Sequence, residues 1–316
     1  MSQKQTITYY PVVIYTLNRY EHFRRCVESL AKNTHAEKTE LVIGLDYPPA
    51  EKYVEGYRKI KEYLPSITGF GKVTIFERKE NFGAVKNSLT LCDYVFEYHD
   101  ACIMTEDDNE FSPCFLDYMN KMLCHYHDDL RVATVSSYLS PVYKDLAKGA
   151  LLFTIDNNAW GYGIWRDKYG NSAERRAIAM DILRSWRLSW RCFWAYPAGF
   201  RMLISMAKRN CTWGDIIRSH CNVVNHSFQV RPAVSLTRNW GNDGSGINCT
   251  VDESLAKQTI SDALTFEDPE DWEPYYTKEV AHATFRLTWP KNNFLFMGKM
   301  IVAAIKYLGY RIGSRK

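Results

Sequence analysis

The chain has 316 residues, 46% of them hydrophobic and 24% charged, with 17 Gly and 11 Pro. This balance excludes collagen-like, coiled-coil and disordered classes and allows a substantial core, in one large α/β unit with appendages or in two fused lobes. The net charge of +4 is too small for wholesale nucleic-acid binding, yet it is unevenly placed: seven Lys and Arg and no acid follow Glu279, leaving the first 279 residues at −3.

In chain order, the opening Met-Ser-Gln-Lys-Gln-Thr lacks the apolar segment of a secretory signal. No apolar stretch approaches the roughly 18 to 20 residues that span a bilayer. The nine cysteines are odd in number and form no C-x-x-C pair, which reads as free thiols in a reducing compartment. A cytoplasmic protein is the expectation.

Residues 11–16 (Pro-Val-Val-Ile-Tyr-Thr) read as a buried strand, and Phe23, Cys26, Val27, Leu30 and Ala31 then recur at helical spacing. Strands are expected over Leu41 to Asp46 and Lys72 to Glu77, a helix from about Ala84 to Tyr98, and a fourth strand over Ala101 to Thr105. Ser112 and Pro113 supply an N-cap and first-turn proline for a helix reaching about His125. Such βα alternation predicts a mostly parallel sheet covered on both faces, with ligands beyond the carboxyl ends of its strands. From about residue 131 short strands (132–137, 151–155) lead into an aromatic-rich, less regular middle from Trp160 to Phe200. Residues 252–273 are acidic and turn-rich, and a last helix is expected from about Asn293 to Leu308.

The strongest local signal is Thr105-Glu106-Asp107-Asp108-Asn109, at the end of an apolar strand. Three carboxylates there repel one another and call for a partner. A hard divalent cation that also grips substrate phosphates meets that need. A solvated acidic loop favoured by the next helix dipole is the plainer alternative.

Around this triplet, Thr16, Leu17, Asn18 and Arg19 follow the first strand, Asp46 ends the second, and Asn81, Gly83 and Lys86 open the helix before the acidic strand. The arrangement resembles the nucleotide-sugar half of glycosyltransferases with the GT-A fold, particularly the family-2-like bacterial polysaccharide sugar transferases and N-acetylglucosaminyltransferase I. In that family an E-D-D triplet with a downstream P-x-F, here Pro113-Cys114-Phe115, is the DXD-type metal motif. The resemblance implies a GT-A α/β fold with a mostly parallel sheet flanked by helices, binding a UDP-sugar with Mn²⁺ or Mg²⁺. It implies Asp108 as metal ligand, Glu106 and Asp107 as its orienting neighbours, and Asp46 on the uracil or ribose. It also implies Thr16, Asn18 and Arg19 in the nucleotide loop, with Lys86 approaching from its helix. Taken alone, Arg19 is equally a helix-start residue, Asp46 a turn or N-cap, and Lys86 a surface lysine.

In the second half, residues 158–166 (Asn-Ala-Trp-Gly-Tyr-Gly-Ile-Trp-Arg) resemble the W-G-x-G/A-x-W-R segment of the bacterial transferases. This makes Trp160, Tyr162 and Trp165 candidates to contact an acceptor sugar, or simply core aromatics. Residues 211–218 (Cys-Thr-Trp-Gly-Asp-Ile-Ile-Arg) resemble the W-D-D-W-M-R segment of N-acetylglucosaminyltransferase I, with Gly214 in place of the first acid. Asp215 then corresponds to the catalytic base of an inverting transfer, the alternative being a helix-start acid paired with Arg218. Residues 241–249 (Gly-Asn-Asp-Gly-Ser-Gly-Ile-Asn-Cys) resemble the N-x-G-x-D-G-S-G-x-H-C loop, with Asn248 in place of histidine. Asp243, Ser245 and Asn248 are its lid candidates, a plain turn cluster being the alternative.

The expected organisation is a nucleotide-sugar half (1–130), an acceptor and catalytic half of the same domain (131–251), and an acidic connector with a basic amphipathic helix (252–316). That helix either packs on the core or lies on an anionic membrane at the cytoplasmic face. The expected activity is metal-dependent transfer from a UDP-sugar, with UDP-N-acetylglucosamine the first candidate, to a glycan or lipid-linked acceptor in cell-surface polysaccharide or glycoconjugate assembly. A non-catalytic nucleotide-sugar or glycan-binding protein and a sugar-nucleotide pyrophosphorylase stay open as alternatives.

Overall fold

The structure, a computed structural model, describes residues 8–143, 151–170, 172–209, 211, 213–246, 251, 254–263, 274–275 and 293–313. The first half follows the expected alternation: β1 (Val12–Thr16), α1 (Tyr20–Ala31), β2 (Glu40–Leu45), α2 (Val54–Tyr63), β3 (Lys72–Glu77), α3 (Gly83–Phe96) and β4 (Ala101–Glu106). Then come β5 (Asn109–Phe111), α4 (Phe115–His125), β6 (Val132–Ser136), β7 (Leu151–Thr154), β8 (Tyr162–Trp165) and the short α5 (Arg166–Tyr169). Four helices follow: α6 (Ser172–Arg184), α7 (Trp186–Ala195), α8 (Pro197–Arg209) and α9 (Gly214–Asn225). Strands β9 (Phe228–Pro232), β10 (Thr237–Asn239) and β11 (Pro274–Tyr275) and helix α10 (Asn293–Gly313) come after them.

Among the described residues, nine strands form one sheet in the order β11-β7-β9-β6-β8-β4-β1-β2-β3. Strands β1 to β4, β6 and β9 run one way, and β7, β8 and β11 the other, so the sheet is mostly parallel. Residues alternate between its faces. Val12, Ile14, Leu41 and Ile43 bury against Phe23 and Leu30 of α1 and against Phe115 and Met119 of α4, while Val13, Val42 and Met104 bury against Leu91, Cys92 and Val95 of α3. The eight described cysteines are free thiols. A small second sheet pairs β5 with β10 in antiparallel fashion.

Two local expectations are corrected. Helix α4 begins at Phe115, and Ser112 closes the preceding turn: its carbonyl accepts from Phe115 N (3.0 Å) and its hydroxyl donates to the Ser261 carbonyl. The aromatic-rich middle is regular, because α6 to α9 build a core of their own from Ile182, Leu183, Leu203, Ile204, Ile216 and Ile217. Its pattern misleads because Trp186, Trp190 and Trp194, spaced by one helical turn, point outward and are 58%, 52% and 48% exposed. Helix α10 packs Ala303 and Tyr307 onto this helical core and leaves Ile301, Ile305, Leu308 and Ile312 exposed. None of the described helices is long and apolar enough to cross a membrane.

Helix α9 is seated by His220, which is fully buried between Tyr196 and Phe200. Its Nδ1 donates to the Ile216 carbonyl (2.7 Å), and its Nε2 has no hydrogen-bond partner among the described residues. Burial pushes its pKa down to about 4, against the Ile216 hydrogen bond that favours the charged form. A histidine held neutral in the fold contributes stability that is complete above its unfolded pKa, near 6.5, and is lost as pH falls toward the folded value. Urea unfolding at pH 7 and pH 4 should therefore show on the order of 3 kcal/mol less stability at pH 4 from this group. His220→Leu should flatten that slope relative to wild type; equal slopes would place the imidazole's titration elsewhere.

Candidate active site

Strand β1 lies parallel to β4 with Tyr15 opposite Glu106, so the residues that leave the two carboxyl ends converge. Asp107 and Asp108 are each only 5% exposed. Arg19, on the turn between β1 and α1, bridges them: one guanidinium nitrogen meets Asp107 Oδ1 and the other lies 2.9 Å from Asp108 Oδ2. Thr16 Oγ1 donates to Asp107 Oδ2 (2.7 Å). The repulsion legible in the acidic triplet is thus met by a guanidinium of the chain itself. Burial acts to lower the Arg19 pKa, but the Asp107 and Asp108 charges more than offset it, so the group stays charged. Asp107 is raised by burial in spite of Arg19.

Glu106 points away from this pair and accepts from the Tyr15 hydroxyl (3.1 Å). Burial and then the Asp108 charge push its pKa up to about 8, against the Tyr15 hydrogen bond.

The other wall comes from the β5–β10 pairing, which sets Asn239 opposite Asn109. Asn239 Nδ2 donates to Asp108 Oδ1 (2.7 Å) and to Asn109 Oδ1 (2.9 Å), and Trp240 N donates to the Asp108 carbonyl (2.8 Å). Gly241 N donates to Asn239 Oδ1 (2.9 Å). A Cβ on Gly241 would stand 2.0 Å from Asp108 Oδ2 and 3.2 Å from an Arg19 nitrogen, so only glycine lets this backbone close on the pair. Trp240 is held by Glu110 through its indole N–H (2.6 Å) and by the Arg25 guanidinium 4.1 Å from its ring centre, while Arg238 pairs with Glu110 in a fork (2.8 Å twice). A cavity of about 420 Å³ opens beside Glu110 and Arg238, with Arg25 and Lys32 on its rim.

The glycine-rich turn beyond Gly241 is pinned to α1. His22 Nε2 lies 3.2 Å from Asp243 Oδ2 and 3.2 Å from the Trp240 carbonyl. Ser245 contributes its backbone N–H to Asp243 Oδ1 (2.9 Å). Asn248 lies outside the described residues.

The remaining candidates sit around this centre. Asp46 accepts from Phe82 N and Gly83 N (2.8 Å each) and from Tyr47 N (2.9 Å), so its carboxylate caps the start of α3. Lys86 is exposed, pairs with Glu80 (3.5 Å) and lies over the Phe82 ring. Asn18 is half-buried, and its carbonyl accepts from Tyr20 N (3.1 Å). Trp165 as an acceptor contact is corrected: it is 1% exposed, and its indole donates to the Leu123 carbonyl (3.2 Å) within the core. The flanking glycines serve packing, since a Cβ on Gly163 would meet the Leu123 side chain at 2.8 Å and one on Gly161 would meet Ser137 Oγ at 2.7 Å. Tyr162 has a buried ring but turns its hydroxyl to Arg218 of α9 (3.2 Å). Trp160 is half-buried, edge-on to Tyr138.

Asp215 stands in the first turn of α9 and is exposed to solvent. Desolvation by the neighbouring chain raises its pKa, against the N–H groups of Ile216 and of its own backbone and the nearby Arg218 charge. Arg218 forms no ion pair with it and turns instead to Tyr162. Sequence reasoning missed the structural roles of Asn239, Gly241, His22 and Tyr15. The Asn-Trp-Gly run was visible, but nothing in it says that β10 pairs with the acidic strand end.

No family model matches the chain, and no curated relative matches it. Among solved structures it is similar to the mannosyltransferase PcManGT from Pyrobaculum calidifontis in complex with GDP-Man and Mn²⁺, at 13% identity and TM-score 0.39, over 68% of this chain and 69% of that one. It is also similar to S. aureus TarS 1-349 in complex with UDP, at 11% identity and TM-score 0.40, over 69% of this chain and 91% of that one. Against another S. aureus TarS chain the match is 12% identical with TM-score 0.32, and covers 45% of this chain but only 24% of that one.

The close approach at Gly241 gives a direct expectation. Gly241→Ala must displace the Asp108 carboxylate from Arg19, at a cost of about 1 to 3 kcal/mol in urea unfolding. Gly309→Ala, in a helical position with open space around it, should be neutral or stabilising by up to about 1 kcal/mol. Equal effects of the two would remove the special role of Gly241.

Proposed function

We propose that the chain is an inverting glycosyltransferase that takes a sugar from a nucleoside-diphosphate donor, a UDP-sugar such as UDP-N-acetylglucosamine, and passes it to a hydroxyl of a glycan or lipid-linked acceptor. The observation that carries this reading is the charged cluster of Arg19, Asp107 and Asp108 at the carboxyl ends of β1 and β4, closed by Asn239 and Gly241.

In this reading Arg19 is the diphosphate ligand, its planar fork matching paired phosphate oxygens, and Thr16 and Asp107 hold it in position. Asp108 offers one hard carboxylate. Among the described residues no group of three His, Cys, Asp or Glu side chains is placed to hold a metal ion. That donor set fits a Mn²⁺ or Mg²⁺ that arrives with the donor, since such ions are commonly held by one or two carboxylates together with substrate phosphates. When bound, the ion supplies charge neutralisation for the departing diphosphate. Asp215 takes the proton of the acceptor hydroxyl as that oxygen attacks the anomeric carbon, and the upward direction of its pKa makes it a stronger base. Asp243 and Ser245, tied to α1 through His22, border the donor as a lid.

The same reading places the protein on an anionic membrane. Trp186 and Trp190 stack on each other, Trp186 meets Tyr307 of α10, and Leu308 lines the same groove, while Ile301, Ile305, Arg187 and Lys306 are also exposed. Aromatic and aliphatic side chains rimmed by cations match a lipid interface. Cosedimentation with vesicles containing phosphatidylglycerol should fall sharply for Trp186→Ser with Trp190→Ser; unchanged binding would reject this surface.

Activity is tested by UDP release from a panel of UDP-sugars with acceptor glycans, with Mn²⁺ and with chelator. The expected result is release from one donor that stops with chelator, falls at least a hundredfold in Asp108→Asn, and falls comparably in Asp215→Asn without loss of UDP binding. UDP binding without turnover for any donor and acceptor would favour a binding protein, and absence of UDP binding would refute the donor site.

A further inference from the structure

Helix α9 starts beside two arginines that form no ion pair among the described residues, although the Arg218 charge acts on Asp215. Arg175 of α6 and Arg218 of α9 both donate to the Tyr169 carbonyl, at 3.3 and 3.5 Å. Their other acceptors are the Gly170 carbonyl (3.1 Å) and the Tyr162 hydroxyl (3.2 Å), all uncharged. Among the described residues neither guanidinium lies within ion-pair distance of a carboxylate. Both are only partly exposed, over the rings of Tyr169 and Tyr162, and each lies in the other's field.

Two partly buried like charges repel, and a structure retains them most readily when an anion completes them. The space for that anion is marked by Gly214, the first residue of the twelve-residue α9. A Cβ built there would stand 3.3 Å from Arg175 Nη1 and 3.6 Å from Arg218 Nη1, so the absence of a side chain leaves the ground before both guanidinium groups clear. Asp215, the base of the proposed transfer, is the next residue.

We infer that Arg175, Arg218 and the Gly214 end of α9 form a subsite for an oxyanion carried by the acceptor, a phosphate ester or a carboxylate of an acidic saccharide. This rests on the transferase reading for the word acceptor, while the anion site itself rests on the arginines alone. The anion would anchor the acceptor beside Asp215, which makes both arginines binding residues for a charged acceptor.

The test is calorimetric titration of the full chain at low ionic strength with inorganic phosphate and with glucuronate, alongside a separate titration with UDP and Mn²⁺. Wild type should bind phosphate or glucuronate. Arg175→Gln should weaken that binding at least tenfold and leave UDP affinity within twofold. Gly214→Asp, which supplies an internal carboxylate to the pair, should abolish anion binding and raise the melting temperature; this variant keeps the test open if substitution of Arg218 impairs folding. Anion binding indifferent to Arg175→Gln and Gly214→Asp would overturn the subsite. Loss of UDP affinity together with anion affinity would reassign the arginines to the donor diphosphate and overturn the acceptor assignment. Anion binding through the pair in a protein that never binds UDP would bring down the donor reading alone.

Discussion

Two adjacent carboxylates at the buried end of a strand are the constraint on which the rest depends. Asp107 and Asp108 lie almost out of solvent, and leaving such charges uncompensated costs several kcal/mol. Arg19 answers both at once, which requires β1 and β4 to be neighbours in register and α1 to start immediately after the bridging residue. The shared register of Tyr15 and Glu106 then follows, and burial beside Asp108 raises the Glu106 pKa against its hydrogen bond from Tyr15. The lone pairs of Asp108 that Arg19 leaves are taken up from across the chain by Asn239, and the backbone there can come so close only because residue 241 has no side chain.

A second consequence concerns how the helical lobe meets the sheet. Strand β8 inserts next to β4, antiparallel to it, and carries Tyr162 to the same face of the sheet as Tyr15 and Met104. Through its hydroxyl Tyr162 touches Arg218, one turn along α9 from Asp215. The acidic strand end and the helix bearing Asp215 are therefore connected by a short run of side chains, one end holding carboxylates and the other guanidinium groups. A donor whose charge lies in a diphosphate and an acceptor with its own anion would meet opposite ends of this run.

Much of the first half was legible because buried parallel strands are continuous apolar runs and amphipathic helices repeat at fixed spacing. Strand β3 matches its expected bounds, and β1, β2 and β4 are displaced by a single residue at one or both ends. The strand-end position of Thr16, Arg19, Asp107 and Asp108 was legible for the same reason. What was not legible depends on long-range pairing. The three-residue strands β5 and β10 are too short to show a period, yet their pairing brings Asn239 to Asp108 across 131 positions. The tryptophans of α7 hid a helix because aromatic composition suggested irregular core, whereas the side chains face outward. Trp165 shows the reverse error: a residue matched to a sugar-contact motif is held in the core by Leu123.

The most direct test of this account is a crystal structure of the chain grown with UDP and Mn²⁺, with anomalous diffraction used to locate the manganese. The expected result is one strong peak about 2.1 Å from a carboxylate oxygen of Asp108, with the diphosphate against Arg19 and the Arg19–Asp108 contact opened. Manganese and UDP bound elsewhere, with the Arg19 bridge between Asp107 and Asp108 intact, would contradict it.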